Sequence, residues 1–343
     1  MRIGILTGGG DCPGLNAVIR GATRAAEVTY DSTVIGFRNA WRGVMDNDYE
    51  ILDVDRCRGI LPLGGTILGT SRDQPFAHED GLKRVRKAYD RHGLDAIIGI
   101  GGEGSMGVVN RLHENGFPVI GVPKTIDNDV GGTVATFGFD TAVQTATEAI
   151  DKVHSTAESH DRVMVVEVMG RHAGFIALNS GLAGSADVIL IPEIPFDIRK
   201  VVEKIRAREA EGRHFSIVVV AEGARPKGGG VSLIDPEHHR LGGIGDKVAH
   251  SIEEMTGKET RSMVLGHLQR GGSPTTFDRL LSLRFGAAAV RLIAEKKFGY
   301  MVALQPPDIV AVAIEEAIAK PRHVPLDSDV IATARDLGIS LGD

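Results

Sequence analysis

Residues 2–14 read RIGILTGGGDCPG, an apolar run rich in β-branched residues that ends in three consecutive glycines. Four later apolar runs are similar: residues 96–100, 119–122, 163–168 and 217–221 each end at a turn that begins with or contains glycine or proline. A short apolar run of this kind predicts a strand buried on both faces, and the residues after it predict a tight turn. The chain therefore contains a series of buried strands with glycine-rich turns at their ends.

The segments after several of these turns are predicted to be helical. Asn16 is a candidate N-cap for one helix, and Asp140 precedes an apolar stripe with a period of 3.6 residues. A third stripe over residues 82–89 is expected to stop at Gly93. Strands that alternate with helices indicate an α/β fold with mostly parallel sheets covered on both faces. In such folds, ligands bind at the carboxyl ends of the strands, where the glycine turns lie.

Composition excludes several classes of protein. The chain has 343 residues, of which 42% are hydrophobic and 24% charged; this is ordinary for a globular protein, and the length favours two domains. The net charge of -6 offers no basic field for nucleic acid or anionic lipid. Cys12 and Cys57 are too few for a disulfide framework, and we see no secretion signal and no membrane-length apolar run. We expect a cytoplasmic protein.

The glycine turn at residues 8–10 is a candidate anion site. A turn that joins a strand to the N-terminus of a helix leaves backbone N–H groups free to hold phosphate oxygens. The alternative is a tight turn with no ligand, but one glycine would suffice for that. Three glycines therefore favour phosphate binding.

Residues 99–104 read GIGGEG and fit the G-x-G-x-x-G pattern of dinucleotide sites, but Glu103 argues against that interpretation. A bare carboxylate about 4 Å from a phosphate would cost roughly 4 kcal/mol at an effective dielectric of 20. Because Mg²⁺ is commonly shared between carboxylates and substrate phosphates, Glu103 fits a site for metal and nucleotide better. The alternative is that Glu103 points to solvent. No zinc motif is present, and His238 and His239 after Pro236 are predicted to form a loop.

Residues 123–129 read PKTIDND and follow the predicted strand at 119–122. Asp127 and Asp129 lie two residues apart beside Lys124, so one carboxylate could accept a proton from a hydroxyl while the other serves a metal or orients the reactants. In isolation, Asp-Asn-Asp is usually a polar turn. The two glycine-rich anion sites favour the catalytic interpretation.

Five segments together resemble the 6-phosphofructokinase family, in order and over nearly the whole chain: residues 7–14, 101–105, 123–129, 169–171 and 266–272. The resemblance implies Mg²⁺-dependent transfer of a phosphoryl group from ATP to the 1-hydroxyl of fructose 6-phosphate.

The resemblance also implies two Rossmann-like three-layer α/β/α domains with the active site in the cleft between them. The donor would lie on residues 1–138 and 269–319. Fructose 6-phosphate would lie on residues 139–268 and 320–343.

Roles can be carried over where residues match the family. Asp127 would be the general base, with Thr125 and Asp129 at the same centre, and Arg171 would stabilise the phosphoryl group in transfer together with Arg72 and the backbone N–H of Gly10. The implied donor site comprises Gly10, Arg72, Gly102, Glu103, Gly104 and Ser105, with Glu103 as the Mg²⁺ ligand where the family more often has Asp. The implied sugar-phosphate site comprises Thr125, Asp127, Asp129, Arg162, Met169, Gly170, Arg171, Glu222, Arg261, His267 and Arg270, of which Arg162, Arg261, His267 and Arg270 would hold the 6-phosphate.

Two positions disagree about the phosphoryl donor. Gly104 is typical of the ATP users in the family, since pyrophosphate users carry an Asp there that fills the space of the α-phosphate. Lys124 is typical of the pyrophosphate users. Because steric exclusion is harder to evade than a flexible cation, Gly104 decides for ATP, with pyrophosphate as the alternative.

Other interpretations stay open. In the family, the residues matching Arg162 and Arg261 reach across from a neighbouring subunit, so the resemblance implies a homotetramer or homodimer; taken alone, each arginine could simply pair with a carboxylate on the surface. Trp41 could line the nucleotide site or the core.

Two other function classes are alternatives. A nicotinamide oxidoreductase would need an acidic residue after the next strand, but Pro123 and Lys124 stand there. A sugar-phosphate sensor would have lost the base or the metal ligand.

Overall fold

The computed structural model describes residues 1–235, 237 and 240–343, so the predicted loop at Pro236, His238 and His239 lies outside the described residues. The strands are β1 (Arg2–Thr7), β2 (Thr33–Phe37), β3 (Tyr49–Leu52), β4 (Ala96–Gly101), β5 (Val119–Thr125), β6 (Phe137–Gly138), β7 (Val163–Val168), β8 (Val188–Leu190), β9 (Ser216–Ala221), β10 (Leu233–Asp235), β11 (Arg240–Leu241), β12 (Thr260–Val264), β13 (Tyr300–Gln305) and β14 (Asp308–Ala313).

The α-helices are α1 (Leu15–Tyr30), α2 (Trp41–Asp46), α3 (Gly81–His92), α4 (Glu103–Glu114), α5 (Phe139–Ser159), α6 (Phe175–Ala183), α7 (Ile198–Ala210), α8 (Ile244–Thr256), α9 (Thr276–Ala294), α10 (Ile314–Ala319) and α11 (Asp329–Asp336). Two 3₁₀ turns cover Pro75–Ala77 and Gly266–Arg270. In the part of the chain that the structure describes, no helix combines the length and the hydropathy that a membrane span requires.

The chain separates into two compact units, each made of two stretches of sequence. Unit 1 comprises residues 1–141 and 270–321, and unit 2 comprises residues 142–269 and 322–343. The assignment of the phosphoryl donor to the first part and of the sugar phosphate to the second stays a prediction.

Unit 1 is built on one sheet with the strand order β14-β13-β5-β4-β1-β2-β3, to which β6 adds beside β5. The central strands β13, β5, β4, β1 and β2 run parallel, and the two edge strands are antiparallel to their neighbours. Helices α1 and α9 pack together on one face, while α2, α3, α4 and α10 share an apolar core with the other. The carboxyl ends of β1, β4 and β5 therefore lie side by side at one edge.

Unit 2 is built on a smaller, fully parallel sheet in the order β12-β7-β9-β8. The side chains of one sheet face pack on α7 and α8. Helix α6 contacts β8 and β9 from the other face, where Gly181 lies against Ile189 and Val219. Both units thus confirm the predicted α/β class with mostly parallel sheets.

The local predictions are confirmed in most places and wrong in two. All five predicted strands are present, and Gly93 ends α3 in the left-handed conformation, with φ of 58°. The prediction that Asn16 caps α1 is wrong, because Asn16 lies inside the helix and its side chain donates to the carbonyls of Leu63 and Gly64. The strand predicted to end at residue 122 continues through Thr125, which draws Lys124 into the sheet.

Candidate active site

The glycine turn of residues 8–10 joins β1 to the segment that leads into α1, as predicted. Its backbone is fixed by neighbouring segments: the Gly8 N–H donates to the Ile100 carbonyl at 2.8 Å, and the Gly9 N–H donates to the Ser71 carbonyl at 3.2 Å. Gly9 has φ of 77°, a conformation that glycine adopts without the steric cost other residues meet. The turn is therefore placed at the carboxyl end of β1 by β4 on one side and by residue 71 on the other.

The second glycine turn leads directly from β4 into α4. Gly102 is the N-cap residue, and Glu103 is the first residue of the helix, in its exposed first turn. A Cβ on Gly101 would overlap the side chain of Ser105, so glycine permits the turn to close. A Cβ on Gly8 would lie 3.2 Å from the Ser105 hydroxyl, which shows how closely the two turns approach each other.

A cavity of about 340 Å³ opens beside these turns within unit 1. Its lining includes all six residues predicted to bind the donor, which are Gly10, Arg72, Gly102, Glu103, Gly104 and Ser105. It also includes Gly8, Gly9, Lys124, Thr125 and Arg270. Glu103 is exposed and also lines the cavity, so its carboxylate can face solvent and still reach a ligand in the cavity.

Five further lining residues carry no motif. They are Trp41, Ser71, Asp73, Gln74 and Val108. Trp41 is 3% exposed and belongs to the apolar core of unit 1, so it serves the core and also forms part of the cavity wall. Asp73 accepts from His78 Nε2 at 2.7 Å, a hydrogen bond that lowers the pKa of the Asp73 carboxyl. The position of Asp73 next to Arg72 is the one signal in the sequence that could have identified Asp73 as a residue of the cavity wall.

Lys124 is held more firmly than a flexible surface cation. Its side chain is 3% exposed, and its ammonium group donates to the Gly10 carbonyl. Burial lowers the pKa of this amine below its usual value, because the charged form loses hydration. The extension of β5 places this cation against the glycine turn.

Arg270 also lies at the glycine turn. Its Nη1 atom donates to the Asp11 carbonyl at 3.1 Å, and a Cβ on Gly10 would lie 2.8 Å from the same atom. The resemblance implies that Arg270 holds the sugar 6-phosphate, whereas the structure places it in the lining of the unit 1 cavity.

The loop after β5 carries Asp127 and Asp129, both half-buried. The Asp127 N–H donates to the Thr125 hydroxyl at 3.1 Å, and Asn128 accepts from the Thr136 N–H at 3.0 Å. The Thr136 hydroxyl in turn donates to the Thr125 carbonyl at 2.8 Å. This network fixes the loop at the carboxyl end of β5, beside Thr125 of the cavity wall.

Unit 2 brings together another group of predicted site residues. Met169, Gly170 and Arg171 follow the carboxyl end of β7, and Glu222 follows that of the adjacent strand β9. The Glu222 N–H donates to the Val168 carbonyl at 2.9 Å, and the Gly223 N–H donates to the Gly170 carbonyl at 3.2 Å. His267 follows the carboxyl end of β12, the other neighbour of β7, in the second 3₁₀ turn.

Arg162 and Arg261 are not part of that group. Arg162 immediately precedes β7, and Arg261 is the second residue of β12, so both stand at the amino ends of the strands. Both guanidinium groups contact Glu259, at 2.8 and 2.6 Å. A strand of this length spans about 20 Å, so the arginines lie far from Met169 and His267 of the same chain.

The described residues contain no group of three or more His, Cys, Asp or Glu side chains arranged to hold a metal ion. A single carboxylate, Glu103, is nevertheless the donor set that Mg²⁺ needs when phosphate oxygens and water supply its other ligands. Cys12 is fully buried, and burial raises the pKa of its thiol to about 12. A buried thiol with a raised pKa is a poor nucleophile.

Comparison with known proteins identifies the family. The family model for phosphofructokinase matches residues 2–293. The chain belongs to the phosphofructokinase family. It is 54% identical to an ATP-dependent 6-phosphofructokinase of Chloroflexus aggregans, a match that covers 100% of this chain and 98% of the relative. It is 53% identical to a pyrophosphate–fructose 6-phosphate 1-phosphotransferase of Amycolatopsis methanolica, which covers 95% of this chain and 96% of that relative.

Solved structures of the phosphofructokinase family have the same fold. A phosphofructokinase from Pichia pastoris superposes with a TM-score of 0.84 at 29% identity, over 98% of this chain and 37% of the larger yeast chain. A pyrophosphate-dependent phosphofructokinase from Nitrosospira multiformis gives a TM-score of 0.84 at 21% identity, over 100% of this chain and 92% of that chain. The recognised family and fold class are therefore confirmed.

Proposed function

We propose that this chain is an ATP-dependent 6-phosphofructokinase that transfers the γ-phosphoryl group of ATP to the 1-hydroxyl of fructose 6-phosphate. The observation that carries this proposal is the unit 1 cavity, where the glycine turn, Arg72 and the N-terminus of α4 line one space. The Gly8 and Gly9 N–H groups already donate to carbonyls, so the expectation that they are free for phosphate is wrong, and Gly10 is the residue of this turn whose N–H we assign to phosphate. A guanidinium and a helix N-terminus also favour phosphate.

Gly104 supports ATP as the donor. It is the second residue of α4 and lines the cavity, and a Cβ built on it would meet no atom within 4 Å. The space beside it is therefore open to a phosphate group that a side chain would displace. A nucleoside triphosphate has one more phosphate than pyrophosphate and needs that room.

Glu103 is the residue that would hold Mg²⁺. The bound ion supplies charge neutralisation for the phosphoryl group in transfer. Glu103 offers one carboxylate from the first turn of α4, on the cavity wall. With Mg²⁺ bound, the positive charge of the ion would offset the repulsion between this carboxylate and the phosphates.

In the proposed reaction, the Asp127 carboxylate accepts the proton of the sugar 1-hydroxyl. The hydroxyl oxygen forms the new bond to the γ-phosphorus, and the bond to the ADP oxygen breaks. Thr125 and Asp129 orient this centre, while Arg171, Arg72 and the Gly10 N–H stabilise the charge on the transferring group. The network from Thr125 through Thr136 to Asn128 supports this role, since it holds the Asp127 loop in place.

The proposed acceptor site uses Met169, Gly170, Glu222 and His267 of unit 2. Arg162 and Arg261 would complete the 6-phosphate site of another subunit, since they stand at the opposite ends of the strands from Met169. We therefore propose a homo-oligomer, a tetramer or a dimer, that acts in cytoplasmic glycolysis.

Pyrophosphate is the second candidate donor, and Lys124 is the observation that favours it. A buried ammonium group against the glycine turn adds positive charge where a small, highly charged donor would lie. Relatives at 54% and 53% identity carry names with ATP and with pyrophosphate, so identity does not separate the two donors.

The deciding experiment supplies the purified protein with fructose 6-phosphate and Mg²⁺, and with either ATP or pyrophosphate as donor. We expect fructose 1,6-bisphosphate with ATP. Turnover with pyrophosphate only would replace the proposal by the second candidate. Absence of turnover with both donors, while fructose 6-phosphate still binds, would indicate a sugar-phosphate sensor.

A further inference from the structure

The loop of residues 170–174 connects β7 to α6 and carries Arg171. Its first residue is held by the turn that follows β9, because the Gly170 carbonyl accepts from the Gly223 N–H at 3.2 Å. Gly170 has φ of 135°, and a Cβ there would lie 2.8 Å from the Ala173 carbonyl oxygen, so the loop can turn this sharply only at glycine. The beginning of the loop is thus fixed by this turn.

The end of the loop is held by a carboxylate from outside it. Both oxygens of Glu193 accept from the Gly174 N–H, at 3.0 and 3.1 Å. Glu193 Oε1 also accepts from the Val324 N–H at 2.8 Å. One carboxylate therefore joins the end of the Arg171 loop to the C-terminal segment of unit 2.

That C-terminal segment makes one further contact to the loop and one to the first residue of α6. His323 Nδ1 donates to the His172 carbonyl at 3.0 Å, and the Arg322 guanidinium lies 5.1 Å from the centre of the Phe175 ring. Residues 322–324 thus contact the start of α6, the middle of the loop and the Glu193 carboxylate, respectively. They lie beyond residue 293, where the match to the family model ends.

We propose that Glu193 is a positioning residue for Arg171, and that it acts with residues 322–324 to hold the 170–174 loop. The inference rests on the proposed function, in which Arg171 stabilises the transferring phosphoryl group. The Arg171 side chain is exposed, whereas the backbone after it is buried at Ala173 and Gly174. The anchored backbone therefore determines where the guanidinium can reach. A displacement of about 1 Å at such a group can reduce turnover on the order of a hundredfold.

The test compares Glu193→Ala, Glu193→Gln and a control, Glu203→Ala, which removes an exposed carboxylate that pairs with Lys200 on α7. Hydrogen–deuterium exchange over residues 171–176 reports on the loop without any need for activity. We expect faster exchange in Glu193→Ala, partial restoration in Glu193→Gln, which keeps one acceptor oxygen, and no change in the control. Unchanged exchange in Glu193→Ala would overturn the proposal.

Steady-state kinetics test the catalytic consequence. Glu193→Ala should lower kcat tenfold to a hundredfold, with KM for fructose 6-phosphate and for the donor within about twofold. In an Arg171→Ala background, the same change should have little further effect, because the group it positions is gone. Faster exchange with an unchanged kcat, or equal losses in both backgrounds, would contradict the positioning role. A wild-type protein with no turnover would contradict the proposed function itself, and with it the role of Arg171, whatever the exchange shows.

Discussion

Replacement of Gly104 by Asp tests the donor assignment most directly. The added side chain meets no atom within 4 Å of its Cβ, and an acidic residue in the first turn of a helix is favourable, so the fold should tolerate it. A carboxylate about 4 Å from a phosphate costs roughly 4 kcal/mol at an effective dielectric of 20, which is about a thousandfold in affinity. Because Gly104 is exposed, solvent screens part of this repulsion. We expect kcat/KM for ATP to fall between about tenfold and a thousandfold.

The matched control for this substitution is Gly107→Asp. Gly107 lies one turn further along α4, it too has no atom within 4 Å of a built Cβ, and it is absent from the cavity lining. The assay measures kcat/KM with ATP and with pyrophosphate for both variants, with Tm as the check on folding. Gly104→Asp should shift the preference toward pyrophosphate, whereas Gly107→Asp should leave it unchanged. Unchanged ATP use in a folded Gly104→Asp protein would refute the placement of the donor phosphates beside α4.

Three further outcomes follow from the structure. Asp127→Asn should lower kcat by about 10²–10⁴-fold with little change in KM or Tm, in steady-state assays, since only proton transfer is lost; a loss confined to KM would contradict the base. Arg162→Ala and Asp127→Ala should each abolish turnover. If Arg162 acts on another subunit, oligomers co-refolded from the two variants should regain part of the turnover, because one subunit supplies Arg162 and the other Asp127. No recovery in the mixed oligomers would contradict action across subunits. Burial raises the pKa of the Asp278 carboxyl from 3.8 to about 6, so the folded state binds this proton more tightly than the unfolded state does. The free energy of unfolding should therefore fall by up to about 3 kcal/mol as pH rises from about 4 to 6. Asp278→Asn keeps an acceptor for Thr141 and should flatten that slope in urea unfolding; an unchanged slope would assign it to other groups.

The strands and their turns were predictable because their signals are local. An apolar, β-branched run such as residues 96–100 must be buried on both faces, and a glycine such as Gly93 ends a helix where a left-handed residue is needed. Asn16 was mispredicted for a non-local reason. Its side chain satisfies backbone groups of residues 63, 64 and 67, about fifty residues away, while Gly14 takes the N-cap position.

The candidate site was predictable in its motifs but not in its walls. Gly10, Glu103 and Lys124 stand in patterns that anion chemistry explains, whereas Ser71 and Gln74 match no motif and line the cavity because the fold brings their segment against the glycine turn. Strand order between distant segments depends on packing over the whole unit, which no single motif encodes.

The position of Lys124 changes how the two donor signals should be weighed. A surface lysine could turn away from a nucleotide, but this ammonium group is buried and donates to the Gly10 carbonyl. Its amine is therefore fixed beside the glycine turn whichever donor binds, and its presence cannot by itself discriminate between two polyphosphates that both need cations there. Discrimination requires an element that fits one donor and repels the other. Within the described cavity wall, position 104 can supply it, because an added carboxylate there would face open space.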